Sequence, residues 1–174
     1  MEFWQSVLIA VGTSLVLWLP QNVQHEGAHA LLAKIYGSVI TEFHPYPGKL
    51  NGNWVFAYVR FSNPRKFTNP ERAWISGAPW AANTIMLIFL AIANSQIHNP
   101  IVSAILAGWM INNLADGINN CRLVLFADNE KLSRSHADLP RVARYDGYPP
   151  RLAKWMVGGW SVATIFLVFW ALWP

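Results

Sequence analysis

The apolar positions of the chain gather in four long runs, separated by polar or proline-marked links. A hydrocarbon core of ~30 Å takes about 20 helical residues to cross, and each run is long enough. The first begins at Phe3, passes Pro20, which predicts a kink, and continues through NVQHEGAHALLAKIYG to stop at Gly37. The second starts near Glu71, the third follows Pro100, and the fourth follows the breaker Pro149-Pro150. The predicted spans are about 3–36, 71–95, 100–127 and 151–173, all within one integral membrane domain covering 1–174.

Two links have patterns of their own. From Ser38 to Ser62 the sequence is aromatic and β-branched around Asn51-Gly52, a strong turn signal, and predicts a short β-hairpin at the membrane surface. From Asp128 to Tyr148 it is polar and charged, with Pro140 as a breaker, and predicts a loop holding a short helix. The expected fold class is therefore an all-α membrane protein, with four transmembrane helices and a hairpin between spans one and two.

Composition agrees. Of 174 residues, 53% are hydrophobic and only 13% charged, against nearly a quarter charged in a soluble domain. Disorder is excluded by the apolar content, and a disulfide scaffold by the single cysteine, Cys121, which reads as a small apolar filler. The N-terminus lacks the basic start and small-residue cleavage site of a signal peptide, so it is expected to stay as a span.

The formal charge of +4 gains meaning from its distribution. All 13 Lys and Arg lie in, or at the facing ends of, the links between spans one and two and between spans three and four. The link SQIHNP has none, and neither terminus has any. The positive-inside rule then puts both basic links in the cytoplasm and both termini on the other side. The excess is an orientation signal, so the expected surroundings are a lipid bilayer and no nucleic acid. The compactness of the chain suggests a prokaryotic plasma membrane.

Ionisable groups inside spans are costly and usually functional. Only two acids fall there, Glu26 and Asp116. Glu26 belongs to His25-Glu26-Gly27-Ala28-His29, an HExxH pattern. On a helix its two imidazoles share a face and can grip one Zn2+, while the glutamate is placed to activate a water. A catalytic zinc takes a third protein ligand. Asp116 is the natural choice, because the first and third spans run the same way and bring both motifs to the cytoplasmic half. Around it, Asn112, Asp116 and Asn119 or Asn120 form a polar stripe that must turn inward. Asn119 and Asn120 read as interhelical glue; Asn112 and Asn113 are candidates for holding substrate backbone.

HEGAHALLAKIYG followed by a hairpin, and later Asn112-Asn113-Leu114-Ala115-Asp116-Gly117, resembles the site-2 protease family of intramembrane zinc metalloproteases. The resemblance covers roughly residues 1 to 127. It implies His25, His29 and Asp116 as zinc ligands, Glu26 as general base, and a hairpin edge that holds substrate in extended form. Gly77-Ala78-Pro79-Trp80-Ala81-Ala82-Asn83 resembles the family's Gly-Pro-x-x-Asn segment with two extra residues, and adds Asn83 as a substrate-binding candidate. The family's Pro-rich run is missing, and Ala115 stands where Leu precedes Asp-Gly. With no PDZ-like or nucleotide-sensing domain, regulation is expected from a membrane partner or from the links.

The function this implies is zinc-dependent cleavage of membrane-embedded peptides or transmembrane segments. The main alternative is a non-catalytic metal-binding assembly factor or subunit derived from such a protease, although that role needs no Glu26. A haem bundle would want histidines on facing helices, whereas His25 and His29 share one. An ion pathway through Glu26 and Asp116 would need no metal.

Overall fold

The computed structural model describes residues 2–50, 52–63, 65–126, 138–145 and 150–172. Asn51, most of the loop predicted after Asp128, and the ends of spans three and four at 127 and 173 lie outside those residues. The described chain is mostly helical. Three helices are long and apolar enough to cross a membrane: α3 (Asn69–Ser95), α4 (Pro100–Phe126) and α6 (Pro150–Leu172).

The first predicted span is two helices, α1 (Phe3–Val16) and α2 (Trp18–Ile35), which pass as one span only together and meet at 47°. Pro20 explains where the break falls. It has no N–H to give and its ring crowds the carbonyl four residues back, at Val16, where α1 ends. The bend sends the halves to different partners. α1 packs on α4, where Gly108 has no side chain because a Cβ there would collide with the Ala10 carbonyl. One turn on, Ser14 donates to Asn112 at 2.6 Å, and the Asn112 amide donates back to the Ser14 carbonyl at 2.7 Å. α2 packs chiefly on α3.

α2 stops at Gly37, whose φ of +86° is open to glycine. Gly37 N–H bonds the Lys34 carbonyl and Ser38 N–H the Ala33 carbonyl, both at 2.9 Å, the paired bonds of a Schellman close. The chain then turns into the expected hairpin, which is longer and less regular than predicted. β1 (Val39–His44) pairs antiparallel with β4 (Tyr58–Ser62), and β2 (Gly48–Leu50) with β3 (Asn53–Val55). Val39 faces Ser62, His44 faces Tyr58 and Gly48 faces Val55, so the register slips by one residue twice on the way to the tip. Gly52, with φ +83°, sits in the tip turn.

The hairpin folds back along α2. Ile40 and Phe61 pack with Leu32 and Tyr36 around buried Ala33, Phe67 and Ile75, and Phe56 meets the Trp18 ring at 6.3 Å. α3 opens on a capping box, with Thr68 N–H donating to Glu71 at 2.8 Å and the Glu71 carboxylate also accepting from Arg65. It continues through Pro79 as one helix.

The second basic link supplies α5 (Asp138–Tyr145). Pro140, predicted to break the chain, sits in the first turn of this helix, where a missing N–H costs nothing because it has no intrahelical acceptor. Leu139 joins Cys121, Val124 and Val157 in a small core that ties α5 to α4 and α6. Gly117 leaves room for the Trp160 ring of α6, and α4 passes through it without unwinding.

Candidate metal centre

His25 and His29 stand one turn apart on α2, with ring centroids 5.3 Å apart. Each ring is held by one nitrogen and offers the other. His25 Nδ1 lies 2.8 Å from Asp116 Oδ2, and His29 Nδ1 donates to the Ile75 carbonyl at 2.7 Å. The Nε2 atoms both face Asp138 Oδ2, His25 at 3.1 Å and His29 at 3.4 Å. Burial raises the Asp138 pKa, but hydrogen bonds to His25 and His29 pull it the other way and prevail, so the carboxyl lies below the usual carboxylate range.

Among the described residues, His25, His29 and Asp138 form the one cluster able to hold a metal ion, their ligand atoms within 4.8 Å of one another. The donor set suits zinc. A tetrahedral ion with bonds of ~2.1 Å keeps its ligand atoms roughly 3.4 Å apart, close to the two spacings from Asp138. Fixing the far nitrogen of each ligand histidine with an acceptor is the usual support for such a site.

Asp116 reaches His25, as the matched depths in spans one and three predict, but on Nδ1, the nitrogen turned away from Asp138. Asp138 was placed in a link by the sequence and given no role there. Its signal was modest: Asp138 and Pro140 in the first turn, with Leu139 and Val142 three apart, mark a helix start with one apolar side.

Glu26 is buried at 7% exposure and lines a cavity of about 810 Å³ together with His25, His29 and Asp138. Tyr58, Val59 and Phe61 of β4 line it as well, as do the basic residues Arg65, Lys66, Arg72 and Arg141. The two basic links thus meet at one end of the bundle.

None of the three asparagines singled out for substrate lines that cavity. Asn83 donates to Asp116 and accepts from Gln21 and Gln24, both at 2.8 Å. Asn113, fully buried, accepts from Gln24 at 3.0 Å and donates to the Trp109 carbonyl. Asn112 is engaged with Ser14. Asn120 turns back to Asp116, while Asn119 is exposed. Gln21 and Gln24, unremarked in the sequence, complete a polar chain running from α2 through Asn83 and Asp116 to His25.

Comparison with protein-family models, curated proteins and solved structures finds no match to this chain.

Proposed function

We propose that the chain is a zinc-dependent intramembrane endopeptidase of the site-2 protease type, cutting membrane-embedded peptides or transmembrane segments. One observation carries this reading: the Nε2 atoms of His25 and His29 converge on Asp138 beside buried Glu26, in one cavity. His25, His29 and Asp138 would hold the ion, with Asp116 orienting His25 from behind. Bound zinc supplies a Lewis acid that polarises the scissile carbonyl and acidifies the attacking water.

Glu26 takes a proton from that water as the oxygen bonds the carbonyl carbon. It returns the proton to the amide nitrogen as the C–N bond breaks. A helical substrate hides its carbonyls in its own hydrogen bonds and must unwind first. β4 flanks the cavity with a strand to which the unwound segment can pair.

Insertion in a bilayer is supported by an inverted burial pattern. Phe3, Leu8, Leu15, Ile85, Phe89 and Phe166 are each at least 67% exposed, whereas Asn83, Asn113 and Glu26 are buried. Lipid is the solvent in which that arrangement is favourable. In this reading the two basic links face the cytoplasm of a prokaryotic cell and both termini lie across the membrane.

The test uses purified protein in detergent with a panel of single-span peptides. Wild type should bind one zinc and cleave, and Glu26→Gln should keep the zinc and lose cleavage. An active Glu26→Gln protein would sink the mechanism. Zinc bound by wild type without cleavage of any peptide would favour the assembly-factor alternative.

A further inference from the structure

We propose that Pro79, in the middle of α3, is a positioning residue for His29, acting through the backbone carbonyl of Ile75. In an α-helix the N–H of residue 79 would bond the carbonyl of residue 75. Proline has no N–H, so the helix leaves the Ile75 carbonyl without its usual donor. Ile75 and Pro79 are both buried, and a buried carbonyl must find a partner elsewhere. His29 Nδ1 is that partner, at 2.7 Å.

The chemical consequence lies on the other side of the ring. A carbonyl only accepts, so Nδ1 must carry a proton, and Nε2 is the nitrogen left either to share a proton with Asp138 or to give it up to a metal. Nε2 is the atom that faces Asp138. The imidazole is fixed with Nδ1 bonded to a backbone acceptor and Nε2 turned toward Asp138. His25 is held differently, by the Asp116 carboxylate.

The same turn of α3 also seats α5. A Cβ on Gly77 would press on the Val142 side chain at 3.3 Å, so the absence of one lets the helix carrying Asp138 come close. Residues 75–79 therefore fix one histidine and admit the helix that carries the carboxylate.

This inference deepens the zinc reading and rests on it only for metal affinity. The deciding experiment is 15N NMR of imidazole-labelled protein in detergent without metal, followed by zinc titration against a chelator. Wild-type His29 should keep a proton on Nδ1, bonded to the carbonyl, both before and after zinc is added. Pro79→Ala restores a competing N–H, and should give a tautomer mixture and a ~10- to 100-fold loss of zinc affinity, with the unfolding midpoint held or raised. Moving the proline, in Ala78→Pro/Pro79→Ala, keeps an imino acid in the turn but frees the carbonyl of Trp74 instead, and should show the same loss.

A wild-type His29 whose Nδ1 carries no proton overturns the proposal, whatever the variants do. So does a Pro79→Ala protein with wild-type tautomer and affinity, or one whose affinity falls only as folded protein is lost. If wild type binds no zinc, the metal reading fails, while the His29 tautomer still decides the role of Pro79.

Discussion

The two ends of the helical bundle are built on opposite rules. Far from the histidines, α1, α3, α4 and α6 meet through small and aliphatic side chains, among them Ala10, Leu87, Ala91, Ala107 and Met110. At the histidine end, Gln21, Gln24, Asn83, Asn113 and Asp116 occupy the interior and hydrogen-bond one another. In the bilayer of the proposed reading, apolar side chains gain little by leaving their surroundings, so the first end would depend on close fit. The second depends on hydrogen bonds among polar side chains, because an unpaired buried group is expensive. Packing suffices to hold helices together; the polar end is shaped by what it must present.

Substitutions can break this contrast in graded ways. The largest effect is expected at the carboxylates. Asp138→Asn should weaken zinc binding more than ~100-fold, and Asp116→Asn by about 10- to 100-fold, as befits a residue behind the ligand. Chelator competition would show the order, and a larger loss at Asp116 would make it the ligand and Asp138 the support.

Asn83→Leu comes next. It strips a partner from Gln21, Gln24 and Asp116 together. Stability should fall by about 1–3 kcal/mol in a detergent unfolding titration, with zinc affinity falling too. At the other end, Gly108→Ala should cost about 1–2 kcal/mol by forcing α1 off α4, yet leave zinc affinity within twofold. A change in affinity there would mean the two ends are coupled. Smallest of all, Arg65→Ala removes an exposed partner of Glu71 and should leave the unfolding midpoint where it was.

What could be read from the sequence follows how local each signal is. The starts of α1, α3 and α4 lie within about two residues of those expected, since a run of apolar residues between breakers is a property of one segment. His25 and His29 were legible because four residues of helix place them on one face. Asp116 could be set beside His25 from depth alone. Asp138 could not, because an aspartate in a polar link is ordinary until α5 docks and buries it. The register slips of the hairpin depend on backbone detail that composition does not carry, whereas the break after Val16 was announced by Pro20. The same holds for the asparagines. Their type announced an inward face, but only the packed helices show that Asn83 and Asn113 turn to glutamines of α2 and Asn112 to Ser14.

The cluster closes over a long stretch of chain, His25 and Asp138 being 113 residues apart. Synthesis runs from the N-terminus, so the histidine pair leaves the ribosome, and its helix can enter the bilayer, well before Asp138 exists. On the proposed reading, the nascent chain is a peptidase without its last ligand until the link after α4 has been made. The order of translation then serves as a safety catch, holding back cleavage until the first three spans have been made.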